Sequence, residues 1–380
     1  MNKKKKHDRL TEQEKAEILN PEREARRRRI KKRKSLVITG GGILAFLIIM
    51  IFSFFLIRAI GESSLRSKAS SERPELVAAP AAEPQPETEE GKEWQEGWVM
   101  HQGKVYSYKD DILTFLIMGI DKNTKAVEVA EGTDGGQADA LFLLTLDQSE
   151  KEIHIIGVNR NTMTDINVYD ETGNYEKTVK GQIATQHGFG NGVEKSCLYQ
   201  VEAVSKLFYS LPIHGYAAVN MSAIPELNDA VGGVDVTVLE DLTRVDSSLK
   251  EGEQVHLMGK TAYWYLKSRD VAQFGSADKR LERQKQYLTA FVKKAKEAVE
   301  EDFSLVMKMY GQLAPKMVTD ISADEAVYLA STALNYRMGG NNFHMIKGET
   351  VMGEKFEEFY VDEQALYELI LEVFYEEVER

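Results

Sequence analysis

Ile112-Leu113-Thr114-Phe115-Leu116-Ile117-Met118 is followed at short intervals by Ala140-Leu141-Phe142-Leu143-Leu144-Thr145-Leu146 and Ile153-His154-Ile155-Ile156-Gly157-Val158. None of these runs alternates apolar with polar residues, as a strand with one wet face would. Short, almost wholly apolar runs belong to strands covered on both faces by helices. Amphipathic helical patterns follow at residues 195–209, 222–231, 259–267, 279–299, 304–313, 323–335 and 362–377, with further short strands at 216–219, 234–238 and 343–347. The fold expected for 97–380 is α/β, a three-layer α-β-α sandwich with a mixed central sheet and no internal repeat.

The turn between the second and third runs, Asp147 to Glu152, is six residues long, the length of a hairpin. Those strands are therefore expected as antiparallel neighbours. If the first run is also antiparallel to the second, Asp121 beyond its end, Asp139 before the second run and Arg160 after the third meet at one sheet edge. Two carboxylates beside arginine suit Mg²⁺ bound with a phosphorylated substrate, since Mg²⁺ takes one or two protein carboxylates and fills its shell with water and phosphate oxygens. The loop Asp134-Gly135-Gly136-Gln137-Ala138-Asp139 is glycine-rich but lacks the Gly-Lys-Ser/Thr of a Walker loop. An aspartate beside a glycine serves equally as a turn or capping residue.

A second charged stretch runs from Lys267-Ser268-Arg269-Asp270 to Arg280-Leu281-Glu282-Arg283-Gln284. Along the later helix Leu281, Leu288, Val292 and Ala295 form an apolar stripe, and Arg280, Arg283, Gln284 and Tyr287 run along its edge. Arginine's planar fork makes paired charge-assisted hydrogen bonds to a phosphoryl group. Snorkelling arginines in surface ion pairs give the same pattern.

The ends of the chain set a different context. Residues 1–34 hold 15 Lys and Arg against 6 Asp and Glu. The next 23 residues, 35–57, carry no ionisable group, and Arg58 closes the run. At about 1.5 Å per residue this spans a hydrocarbon layer of about 30 Å. The basic flank places 1–34 in the cytoplasm and the rest outside, a single-pass anchor in the cell membrane. With −12 for the whole chain and +9 for 1–34, the remainder carries −21 and lacks the basic excess nucleic acid requires. Residues 58–96 hold four of the eight prolines among Ala, Ser and Glu, and read as a flexible, disordered extracellular tether. The single cysteine, Cys197, excludes an internal disulfide and reads as a small core residue.

Five motifs in order, Leu116-Ile117-Met118-Gly119-Ile120-Asp121, Gln137-Ala138-Asp139-Ala140, Gly157-Val158-Asn159-Arg160-Asn161-Thr162, Leu227-Asn228-Asp229-Ala230-Val231-Gly232-Gly233-Val234, and the stretch Lys267-Ser268-Arg269 to Gln284, resemble the LytR-CpsA-Psr family. The resemblance covers roughly 110–300 and matches that family's membrane-anchored layout. It implies a Mg²⁺-dependent phosphotransferase that moves a glycopolymer with one phosphate from a polyprenyl-pyrophosphate carrier to peptidoglycan. By position, Asp121 and Asp139 would be the metal-associated carboxylates, and Arg160, Arg269 and Arg280 the pyrophosphate clamp, joined by Lys122, Lys267, Arg283 and Gln284. The family's long hydrophobic pocket beneath the sheet is expected to take the lipid.

Lys122 and Lys267 stand where the family often has Arg, and Asn161 where it often has Asp. Lysine keeps the charge but loses the fork. The alternative reading is therefore a non-catalytic or weakly hydrolytic polyprenyl-pyrophosphate-binding or regulatory protein.

Overall fold

The three apolar runs become adjacent strands, β1 (Ile112–Ile120), β2 (Ala138–Asp147) and β3 (Glu152–Val158), each antiparallel to the next. With β4 (Gly215–Asn220), β5 (Met317–Thr319) and β6 (Phe343–Met345) they form a six-stranded sheet in the order β5-β4-β1-β2-β3-β6. β4 runs parallel to β1 and β6 parallel to β3, so the sheet is mixed. The computed structural model describes residues 52–68, 73–84, 94–122, 124–132, 135–270 and 272–378. The expected cytoplasmic tail 1–34 and most of the apolar run 35–57 lie outside these. Among the described residues no helix is long and apolar enough to cross a membrane. Contacts divide the chain into Met1–Ala59, of which 52–59 are described and helical, and Ile60–Arg380, which holds the sheet.

Seven helices of the second unit concern the site: α1 (Glu194–Leu207), α2 (Ile224–Ala230), α3 (Gly259–Lys267), α4 (Ser276–Glu301), α5 (Leu305–Leu313), α6 (Ala323–Ala333) and α7 (Glu363–Phe374). Period-two alternation along β1 sends Ile112, Leu116, Met118 and Ile120 to one face, with Cys197 and Val204 of α1 and Leu366 and Ile370 of α7. Leu113 and Phe115 take the other face with Tyr328 of α6. On that side Phe142 and Ile155 pack with Leu281 of α4. Both faces are thus covered, which is why the strands read as uniformly apolar.

Three expectations are corrected. The stretch 58–96 is not an extended tether throughout: residues 60–68 are helical, and Leu65, 0 % exposed, packs beside Leu113 and Phe115. Ser64 Oγ donates to Glu325 Oε1 at 2.7 Å, and Leu76 is 0 % exposed in the main core. Two apolar anchors, rather than the average composition, fix this segment. The C-terminal helix stops at Phe374, and Tyr375–Glu377 forms a strand on Lys104–Tyr108, where Tyr375 meets Tyr108 edge to face at 5.6 Å. Two ribbons, Met163–Tyr169 with Tyr175–Gln182 and Gly348–Met352 with Glu357–Val361, have no counterpart in the sequence reading. Leu65→Ala is expected to cost about 2–3 kcal/mol, read as a lower urea midpoint of the full-length chain.

Candidate active site

The β1–β2 register pairs Gly119 with Ala140 and Ile120 with Ala138, so Asp139 is an extra residue at a bulge. Such a bulge lifts a side chain out of strand alternation. Gly119 permits the close approach, since a Cβ there would lie 3.0 Å from that of Ala140. The re-aimed Asp139 carboxylate is held from two sides: Arg160 Nε lies 2.9 Å from Oδ1, and Arg280 Nη1 lies 3.1 Å from Oδ2. Arg160 arrives from the loop after β3 and Arg280 from the first turns of α4. Arg160 Nη2 also donates to Gln137 Oε1, and Arg280 Nη2 to the Asp139 carbonyl at 3.4 Å. The side chains of Arg160, Asp139 and Arg280 are 10, 10 and 4 % exposed, so this charge cluster is largely withdrawn from water.

Burial lowers the Arg280 guanidinium to about 10, with Asp139 opposing and Arg160 and Arg269 adding to the shift. Arg160 is lowered by burial too, again with Arg269 contributing and with Asp139 and Asp121 opposing. Both stay charged at neutral pH, and both feel Arg269. That residue follows α3 in the loop 268–275, is half-buried, and has no hydrogen-bond or ion-pair partner among the described residues. Two guanidiniums on one carboxylate, with a third near enough to act on both, leave a surplus of positive charge that an anion of high charge density would neutralise.

Asp121, at the end of β1, pairs with Lys267 Nζ at 2.9 Å, and its side chain is 45 % exposed. Burial opposes the Lys267 charge, but Asp121 and Tyr263 outweigh it and raise the ammonium's pKa.

Arg283 and Gln284 are placed elsewhere, which corrects their expected part in the clamp. Arg283 is 0 % exposed; it donates to the carbonyls of Tyr265 and Ser268 and pairs with Glu240 at 2.8 Å. Gln284, 6 % exposed, donates to the Leu266 carbonyl at 3.4 Å. Both fasten the end of α3, from which the Arg269 loop departs. The sequence placed them on the edge of the buried stripe; the partner that draws Arg283 inside, Glu240, lies far along the chain and carried no signal.

Lys122 runs along Gly136, where a Cβ would meet its Cε at 2.9 Å, and lines a recess of about 50 Å³ with Thr124, Lys125 and Gly192. Two recesses of about 710 Å³ are lined by Arg73 and not by Arg160, Arg269 or Arg280. Asn161 is 2 % exposed and structural: its Oδ1 accepts from Gln182 Nε2 at 3.0 Å.

Beneath the loop that leads into Asp139, buried His187 sets Nδ1 2.9 Å from the Gly136 carbonyl, to which it donates. Burial lowers its pKa to about 4. The unfolded chain takes up this proton near 6.5, whereas the folded chain resists until about 4. The stability from neutral His187 is therefore full above 6.5 and is lost as pH falls from 6.5 towards 4. Urea midpoints measured against pH should fall over that window, and more steeply than in His187→Gln.

Arginines from a loop and a helix converging on one carboxylate, on a mixed sheet of this order, define a class. The chain belongs to the LytR_cpsA_psr family, which it matches over residues 80–372. Among its curated relatives, the polyisoprenyl-teichoic acid–peptidoglycan teichoic acid transferase TagU of Bacillus mycoides is 30 % identical over 186 residues, 49 % of this chain and 53 % of that protein. TagU of Halalkalibacterium halodurans is 26 % identical over 240 residues, 62 % of this chain and 69 % of that protein. The chain thus spans about half the length of the first of these relatives. Among solved structures, TagV of B. subtilis superposes with a TM-score of 0.51 at 20 % identity, over 69 % of this chain and 96 % of that one. TagT bound to LI-WTA gives 0.51 at 19 % identity, over 69 % and 89 %. These likenesses establish the fold.

Proposed function

We propose that this protein is a membrane-anchored phosphotransferase that moves a glycopolymer, with one phosphate, from a polyprenyl-pyrophosphate carrier to a hydroxyl of peptidoglycan. The observation that carries the reading is the Arg160–Asp139–Arg280 cluster, with Arg269 close enough to act on both guanidiniums. The names of the TagU relatives support the same substrate class. The anchor is residues 35–57, with 1–34 in the cytoplasm and the catalytic domain outside.

Phosphoryl transfer needs positioning and neutralisation of charge more than covalent help. Arg160, Arg269 and Arg280 bind and orient the diphosphate, and Lys267 adds charge beside Asp121. The acceptor oxygen bonds to the phosphorus that bears the sugar, the bridging P–O bond breaks, and polyprenyl phosphate leaves. Both oxygens of Asp139 already face guanidiniums, so Asp121 Oδ2 takes the hydroxyl proton.

Asp121 and Asp139 offer the oxygen donors a hard cation such as Mg²⁺ takes, Asp139 once one of its guanidiniums turns to the diphosphate. Among the described residues no three His, Cys, Asp or Glu side chains could hold a metal, so an ion here would take most ligands from phosphate and water. When bound, it would supply charge neutralisation at the diphosphate. The prenyl chain would enter the apolar layer between the sheet and α1 and α7, whose core cluster includes Leu116, Leu143, Phe208 and Ile370, each 0 % exposed.

The test is full-length protein with Mg²⁺, a polyprenyl-pyrophosphoryl sugar and a peptidoglycan oligomer. Sugar phosphate joined to the oligomer is the expected product. Free sugar phosphate alone, or saturable binding without turnover, would replace this reading with the hydrolytic or the capture function.

A further inference from the structure

The clamp arginines do not position themselves. Arg160 sits on the loop after β3 and Arg280 on α4, and no backbone ladder joins these two elements. Besides Asp139, which both contact, they are tied by a set of side chains the mechanism does not use. Asp278, in the first turn of α4, accepts from Asn159 Nδ2 at 2.5 Å through Oδ1 and from Thr350 Oγ1 at 2.8 Å through Oδ2. Asn159, 3 % exposed, is the residue before Arg160, and its own Oδ1 accepts from the Asn161 amide at 2.8 Å. Asp278 stands two residues before Arg280.

The ribbon Gly348–Met352 with Glu357–Val361 supplies both the third partner, Thr350, and a parallel brace. Glu357 Oε1 accepts from the amide of Gly275, just ahead of α4, at 2.7 Å, and Oε2 accepts from Asn161 Nδ2 at 3.4 Å. The bonds to Asp278 and to the Gly275 amide join the Arg160 loop and the ribbon to the start of α4, and the Asn161–Glu357 bond joins that loop to the ribbon. Asp278 at the front of the helix is also favoured by the helix dipole.

We propose that Asp278 is a positioning residue: through Asn159 and Thr350 it sets the separation of the Arg160 and Arg280 guanidiniums, and with it the site's preference for a diphosphate over a single phosphate. This rests on the diphosphate reading above. Two guanidiniums held at a fixed separation engage two phosphoryl groups together, whereas one phosphate needs only one of them. Asparagine at 278 keeps the brace, because its carbonyl accepts from Asn159 and its amide donates to the Thr350 hydroxyl. Alanine removes it.

The experiment is calorimetric titration of the full-length chain with inorganic pyrophosphate and, separately, with inorganic phosphate. Asp278→Ala is expected to weaken pyrophosphate binding about tenfold and phosphate binding less than about twofold, with Asp278→Asn retaining the wild-type ratio. Thr350→Val, which removes one bond without touching a charge, should shift the ratio in the same direction by about threefold, and decides the matter if Asp278→Ala does not fold. A wild-type ratio in Asp278→Ala, or equal loss in Asp278→Asn, overturns the positioning role. Arg160→Ala and Arg280→Ala report on the site itself: if they bind pyrophosphate normally, the diphosphate reading falls and the positioning role with it. If they lose it while Asp278→Ala does not, only the positioning role falls.

Discussion

Arg269→Ala lowers turnover on a polyprenyl-pyrophosphoryl sugar by about 10²–10³-fold, the loss typical of removing one donor from a preorganised anion site, and leaves the urea midpoint at its wild-type value. The second half of this result follows from what Arg269 touches. It has no hydrogen bond or ion pair among the described residues, so its removal breaks no fold contact of that kind. Its field nonetheless reaches Arg160 and Arg280. Held near two others, it adds positive charge that a bound diphosphate would neutralise. Single-turnover rates and unfolding curves on one preparation check both halves. A stable variant with wild-type turnover would remove Arg269 from the site.

Asp139→Ala has the opposite signature. It leaves the guanidiniums of Arg160 and Arg280 enclosed without the carboxylate that each now contacts. Breaking a buried pair by removing one partner costs about 3–5 kcal/mol, because the remaining charge is left uncompensated. Here two charges are left, facing the same gap. Inorganic pyrophosphate should refill it, so the rise in melting temperature on adding pyrophosphate is expected to be larger in Asp139→Ala than in the wild type. An unchanged ligand-induced rise would mean that the anion does not sit between these arginines.

Much of this arrangement was legible in the residues alone. The six-residue turn between the second and third apolar runs leaves no room for a crossover, and their antiparallel pairing brings Asp139 and Arg160 to one edge. The family motifs then placed Arg269 and Arg280 beside them. Less legible was anything decided by a distant partner. Arg283 looks like Arg280 in the helical pattern, yet Glu240 and the carbonyls of Tyr265 and Ser268 draw it into the core. Leu65 and Leu76 sit in a stretch whose average composition reads as tether, and only the pockets awaiting them reveal otherwise. The ribbon of Gly348–Met352 and Glu357–Val361 has strands of only five residues each, so the brace that Thr350 and Glu357 provide was invisible until the chain was folded. The bulge that re-aims Asp139 is likewise a matter of register, which a one-residue shift decides.

The most direct test of the account is a crystal structure of the protein with geranyl pyrophosphate. The expected result is a diphosphate held by Arg160, Arg269 and Arg280, with Asp139 released from at least one guanidinium. A diphosphate bound elsewhere, with the Arg160–Asp139–Arg280 cluster undisturbed, would contradict it.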